Sequence, residues 1–178
     1  MAIKATVFKA ALGVSDMDRS YDGTHALTIA RHPSETDERM MLRILAFALN
    51  ASEALSFTKG ISTDDEPDLW EKDLTGAIKT WVELGQPDER RLRRAAGRCE
   101  RVVVYCYGGQ AARQWWAERR GTLGRLEGLE VYDVPREVVQ ALGALAERGM
   151  DLSCTVQDGQ IWFSGGEETL SFQLERLG

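Results

Sequence analysis

Residues 59–86, KGISTDDEPDLWEKDLTGAIKTWVELGQ, read as a β-hairpin with arms over 68–73 and 77–85 and Thr75-Gly76 at the tip. A two-residue tip ending in glycine suits a tight turn between strands. If Leu74 faces Ala77, opposed residue numbers sum to a constant, so Trp70 faces Trp81 and Asp68 faces Glu83. Side chains alternate along a strand, which puts these four on one face. Directly opposed residues hold their Cβ atoms about 5 Å apart. Two aromatics at that distance attract, whereas two carboxylates repel, and something must offset the repulsion: a cation, a shared proton or solvent exposure. A hard divalent ion such as Mg²⁺ takes one or two protein carboxylates and keeps several waters.

The flanks of the hairpin read as a helix and short strand before it and a helix and strand after it. Residues 34–50 carry a capping Ser34, the acidic first turn Glu35, Asp37 and Glu38, and an apolar stripe of Met41, Leu42, Leu45 and Leu49. Glu38 lies one turn before that stripe, on its side of the helix. A short strand follows over 55–59. The acidic loop at 64–67 lacks the glycine and terminal glutamate of a calcium loop. Beyond the hairpin, residues 88–99 form a helix with Leu92, Ala95, Ala96 and Cys99 on one side and Arg90, Arg94 and Arg98 on another. With Arg91, Arg93 and Arg101 they make six arginines within twelve residues, the clearest local charge anomaly of the chain. Such a row suits phosphates and equally suits a solvated helix face. The run RVVVYCY over 101–107 is apolar throughout, the pattern of an interior strand covered on both faces. The 68–73/77–85 hairpin is expected to pair antiparallel beside it.

The outer segments are β-rich. Residues 3–14 and 24–32 alternate and should pair as an N-terminal hairpin, with His25 and His32 as strand and turn residues. After Gly108-Gly109 come a helix over 110–120, a strand over 129–134 and a helix over 135–149. A C-terminal meander over 152–174 follows, turning at Asp158-Gly159.

Composition bounds the rest. The chain has 178 residues, 43% hydrophobic and 28% charged, enough for one soluble domain over 1–178 with a real core. A net charge of -6 argues against a general nucleic-acid binder, although local patches outweigh the sum. The three cysteines are far apart and odd in number, as reduced thiols of a cytoplasmic protein are, and they make no zinc spacing with the two histidines. No stretch has the length or apolarity of a membrane span, so no membrane association is expected. Dinucleotide, Walker and nucleophile-elbow patterns are absent.

Taken together, 34–50, 55–59, 68–73, 77–85, 88–99 and 101–107 run αβββαβ. This order resembles the core of the PD-(D/E)XK phosphodiesterase superfamily, the fold of many restriction endonucleases. Pro67-Asp68 opens the second strand as the motif's first half does, Glu83 stands in place of its second acidic residue, and Glu38 in place of an auxiliary helix glutamate. Over its whole length the chain resembles the bacterial YaeQ family, a variant of that superfamily. The runs TIARHPSETDERMMLRILAFAL, FTKGISTDDEPDLW, VELGQPDE, VVVYCYGG and VQDGQIW carry the likeness.

The resemblance implies an α/β (α+β) fold: a restriction-endonuclease-like core over about 34–134, a mixed sheet flanked by helices, with the N-terminal hairpin and C-terminal meander added. It also implies Mg²⁺ or Mn²⁺ held by Asp68, Glu83 and the carbonyl of Leu84. One departure stands out: the motif lysine is replaced by Gly85, leaving Lys59 or Gln86 to orient a water. The arginines Arg90, Arg94 and Arg98 would hold a nucleic-acid backbone. The implied activity is metal-dependent phosphodiester hydrolysis. The alternative is a non-catalytic nucleic-acid-binding or transcription-related regulatory protein that kept the fold.

Overall fold

The alternation at the N-terminus extends further than its turn residues suggest. Strands β1 (Thr6–Asp16) and β2 (Tyr21–Arg31) pair antiparallel over their full eleven residues. Only 17–20 are left as the turn, with Ser20 at a positive φ of 53°. The computed structural model describes residues 4–58 and 65–178. The remaining elements are α1 (Asp37–Leu49), β3 (Leu55–Phe57), β4 (Leu69–Lys72), β5 (Ile78–Leu84), α2 (Glu89–Arg98), β6 (Arg101–Tyr107), α3 (Gln110–Leu123), β7 (Leu129–Val134), α4 (Arg136–Gly143), β8 (Gly149–Gln157), β9 (Gln160–Gly165), β10 (Glu168–Gln173) and β11 (Glu175–Arg176). They form two compact units, Met1–Ala51 with Glu137–Gln173, and Ser52–Arg136 with Leu174–Gly178.

The first unit is a five-stranded sheet in the order β10-β9-β8-β1-β2, with α1 packed against β1, β2 and β8. Asp158 and Gly159, at φ 51° and 79°, make the tight β8–β9 turn that their dipeptide suggests. Helix α1 starts later than expected. Its cap is Thr36, whose Oγ1 accepts the N–H of Arg39 at 3.1 Å, because Ser34 Oγ is engaged with His32 Nδ1 at 2.7 Å. Glu35 is a structural residue: it is buried and accepts from Arg43 through Nε at 3.0 Å and Nη2 at 2.6 Å.

The second unit is a six-stranded sheet in the order β11-β7-β6-β5-β4-β3. The order β3-β4-β5-α2-β6 follows the sequence expectation, while the helix expected to open that core, α1, belongs to the first unit. Strands β5, β6 and β7 run parallel, so the antiparallel pairing of the β4–β5 hairpin is internal to it and does not extend to β6. The reason is the α2 crossover, which carries the chain back along the sheet before β6 begins. Trp81, Val102, Val104, Cys106, Leu129 and Val131 pack against Leu92 and Ala95 of α2 and Ala112, Trp115 and Trp116 of α3. Among the described residues no helix is long and apolar enough to cross a membrane.

Strand β6 lies between two parallel neighbours, and Val103 and Val104 are fully buried. Their amides should therefore exchange slowest in the second unit, close to the rate of global opening. Hydrogen exchange read by NMR checks this, and fast exchange at either valine would remove β6 from the core.

Candidate functional site

The β4–β5 hairpin reaches its expected register by an unexpected route. Asp73 N–H donates to Ala77 O at 2.9 Å, so the loop holds three residues, Leu74, Thr75 and Gly76, with Gly76 at φ 88°. Asp73 Oδ1 braces it by accepting from Thr75 N–H at 2.8 Å, Thr75 Oγ1 at 2.6 Å and Ala77 N–H at 3.0 Å. This loop alone would shift the pairing by one. A bulge follows: Lys72 pairs with Ile78 and Glu71 with Thr80, leaving Lys79 without an opposite. Beyond it the pairs are Trp70 with Trp81 and Leu69 with Val82, the register the sequence suggests. The two indoles meet edge to face, 6.5 Å between centroids.

Asp68 immediately precedes β4. Its N–H donates to Val82 O at 3.0 Å, and its Oδ2 accepts the N–H of Leu84 at 2.9 Å. The side chain thus takes up a main-chain donor beside Pro67, whose carbonyl accepts from Thr58 Oγ1 at 2.5 Å. Glu83 is 4% exposed. Its Oε1 accepts from Arg91 Nε, and Arg91 Nη2 donates onward to the carbonyl of Glu66 at 2.5 Å. Glu83 Oε2 is buried without a hydrogen-bond partner among the described residues. Burial pushes the Glu83 carboxyl above its ordinary range; the hydrogen bond and charge of Arg91 oppose the rise, and the nearby Asp68 adds to it. The Trp81 indole N–H has no acceptor within hydrogen-bond distance among the described residues, yet lies close enough to oppose the rise as well.

Of the three offsets open at the hairpin, a cation meets Glu83, and it is a side chain. Arg91 belongs to α2, whose buried face carries Leu92 and Ala95. The Arg91 and Arg98 guanidinium carbons lie 5.8 and 5.7 Å from the Trp81 ring centroid. The spacing that groups Arg90, Arg94 and Arg98 also puts Arg91 one residue away, with the i, i+4, i+7 geometry of an inward stripe, and this signal was available. Arg90, Arg94 and Arg98 are exposed; Arg94 Nη2 approaches Asp65 at 3.5 Å between two solvated groups, a contact worth little.

The other candidate residues are dispersed. Gln86 Nε2 donates to the carbonyl of Tyr107 at 2.6 Å, held beyond Gly85, whose φ is 95°. Lys59 lies outside the described residues. Glu38 is exposed in the first turn of α1, in the first unit, where it packs over Gly143. Among the described residues no three His, Cys, Asp or Glu side chains come together as a metal site. As arranged, this donor set does not fit Mg²⁺. One Glu83 oxygen is held by a guanidinium and one Asp68 oxygen by an amide, and Arg91 balances the charge of one of the two carboxylates.

Comparison with known proteins bears on the whole chain. Residues 1–174 match the family described as YaeQ protein. The chain is 42% identical over 174 residues to the YaeQ proteins of Salmonella typhi and Escherichia coli (strain K12), covering 98% of this chain and 96% of each relative. The crystal structure of YaeQ protein from Xanthomonas axonopodis pv. citri superposes with a TM-score of 0.94 at 46% identity, over 97% of this chain and 98% of that one. That from Pseudomonas syringae gives 0.92 at 34% identity, over 98% and 96%.

The Arg91–Glu83 pair makes a signed prediction. The Glu83 carboxyl titrates at an ordinary 4.5 when unfolded and higher when folded, so its ionisation costs stability at neutral pH. Native stability gains from this group as pH falls through the raised folded value, and the gain is complete below the unfolded one. Glu83→Gln should therefore be as stable as the parent or more so at neutral pH, and the difference should vanish toward acid. Arg91→Met should cost about 3 kcal/mol at neutral pH, because it strands a buried carboxylate. Adding Glu83→Gln to Arg91→Met should recover most of that loss. Urea unfolding at two pH values reads all three, and additive single effects would show that the pair is not coupled.

Proposed function

This chain belongs to the YaeQ family, and we propose that it binds nucleic acid through α2 without cleaving it. One observation carries the reading: a single helix turns Arg91 inward onto the carboxylate of the motif position, Glu83, and leaves Arg90, Arg94 and Arg98 exposed. The first arrangement compensates the Glu83 charge that would hold a metal. The second offers a row of guanidinium groups suited to phosphate oxygens.

Electrostatics support it. Residues 88–127 carry ten arginines against five acidic residues, in a chain whose net charge is -6, and Arg91, Arg94, Arg101 and Arg113 pair with acids outside that stretch. A local basic layer in an acidic protein attracts a polyanion at short range, inside a screening length of about 8 Å at physiological salt. Phosphate contacts of this kind fix position and carry no sequence information. Gly85 in place of the motif lysine agrees with binding in the absence of efficient hydrolysis.

Fluorescence anisotropy with a labelled duplex, titrated between about 50 and 200 mM salt, tests the reading. The parent should bind with a steep salt dependence. The variant Arg90→Ala/Arg94→Ala/Arg98→Ala should bind more weakly and lose up to about three units of log–log slope, roughly one per contact. Adding Mg²⁺ or Mn²⁺ should leave the duplex intact. Cleavage that requires the metal and is lost in Asp68→Asn would replace this reading with a phosphodiesterase, and a parent that does not bind would make the arginine row a solvated face.

A further inference from the structure

Each of the two sheets must end in edge strands whose outer N–H and C=O groups lack a neighbour. Three of the four edges are short: β10 has six residues, β3 three and β11 two. The fourth, β2, has eleven. It pairs with β1 at every residue, without a bulge, and contains no lysine and no proline. Shortness, a bulge, lysine and proline are devices with which proteins blunt an edge, and β2 has none of these; its charged residues, Asp22 and Arg31, stand near its two ends.

The outward groups follow from the ladder. Lys9 and Met17 of the β1 side donate their N–H groups to Arg148 O and Val156 O, toward β8, at 2.9 and 2.8 Å. Odd-numbered residues of β1 therefore turn their main chain to β8 and even-numbered ones to β2. Phe8 opposes Ile29, Ala10 opposes Leu27 and Leu12 opposes His25, so the odd-numbered residues of β2 answer β1. Asp22, Thr24, Ala26, Thr28 and Ala30 are left with their N–H and C=O groups pointing away from the sheet, and their side chains are exposed too. Of these, Ala30 O accepts from Arg43 Nη2 at 3.1 Å. Among the described residues no strand lies on that side of β2.

We propose that β2 is a self-pairing edge: two copies of this chain join antiparallel across a two-fold axis at Ala26, making one continuous sheet. In this register Ala26 opposes its own counterpart, Thr24 opposes Thr28 and Asp22 opposes Ala30, so every outward residue meets an outward residue. Opposed threonines are a favourable cross-strand pair, and no two like charges face each other. The strand is uncharged between Asp22 and Arg31, and antiparallel pairing sets the acidic end of one copy beside the basic end of the other. A closed two-fold interface uses the same patch twice, which is what a strand complementary to itself provides.

Sedimentation velocity on the full chain, over about 1 to 100 μM, reads the equilibrium. The parent should be dimeric. Thr24→Lys/Thr28→Lys opposes lysine to lysine twice per dimer and should raise the dissociation constant about tenfold or more; Thr24→Glu/Thr28→Glu should do the same. Mixing the two variants should restore the dimer, because each lysine then faces a glutamate. Both sites are solvent-exposed, and unchanged thermal melting checks that the variants fold. Independently, Ala26→Cys should form an intermolecular disulfide on oxidation, while Cys at the exposed Met17 should not. A monomeric parent overturns the proposal, including one that instead takes up an extended peptide along β2. So does a dimer indifferent to both charge variants, or one that their mixture does not restore.

Discussion

A carboxylate held 4% exposed beside a second carboxylate costs several kcal/mol unless a cation meets it. In the second unit that cation is Arg91, and the contact reaches well beyond the pair. It ties β5 to α2 through Glu83 and ties α2 to the residues before β4 through the Glu66 carbonyl. It also fixes how α2 is rotated about its axis. Each residue of a helix advances by a constant angle, so seating Arg91 on Glu83 and Leu92 in the core decides where every other arginine of α2 points. The exposed row and the inward pair are two consequences of one rotation.

Polar anchoring recurs in the first unit with a different chemistry. Glu35 is buried between Arg39 and Arg43, and Arg43 reaches the Ala30 carbonyl at the end of β2. A network that leaves no member without a partner fastens α1 to the sheet at one corner, while apolar residues from Met40 to Ala48 do the same along its length. Arginine suits both anchors because its planar fork binds a carboxylate and a carbonyl at once.

The hairpin reaches the register that its alternation suggests through a turn that its tip residues do not. Thr75-Gly76 reads as a two-residue tip, but Asp73 gathers three donors and closes a three-residue loop. The resulting one-residue slip would have turned Trp70 and Trp81 to opposite faces. The Lys79 bulge restores the register, so the indoles meet as the alternation requires. Burial of the aromatic pair outweighs the regularity of the strand, and the irregularity is placed at Lys79, whose own side chain is exposed. Position in the sheet also changes the account of Glu83. Its carboxyl is raised as paired carboxylates would suggest, but burial is the main cause and Asp68 a lesser one.

By itself the sequence determined the elements from β1 to β10 and their order, because periodicity, capping residues and glycine turns act over a few neighbours; β11 was not legible in it. Strands β6 and β7 begin and end where their apolar runs do, and the Asp158-Gly159 turn lies where the dipeptide demands positive φ. The tertiary structure alone decided the partners. Nothing local to 34–50 says that α1 packs on β1, β2 and β8, since an apolar stripe records burial without naming what covers it. The spacing of α2 favours Arg91 over Arg90 for the inward line, but nothing local to the helix puts a carboxylate there to receive either of them. Which of them leaves water depends on where Glu83 sits across the sheet, and that distance exists only after the β5–α2–β6 crossover has closed.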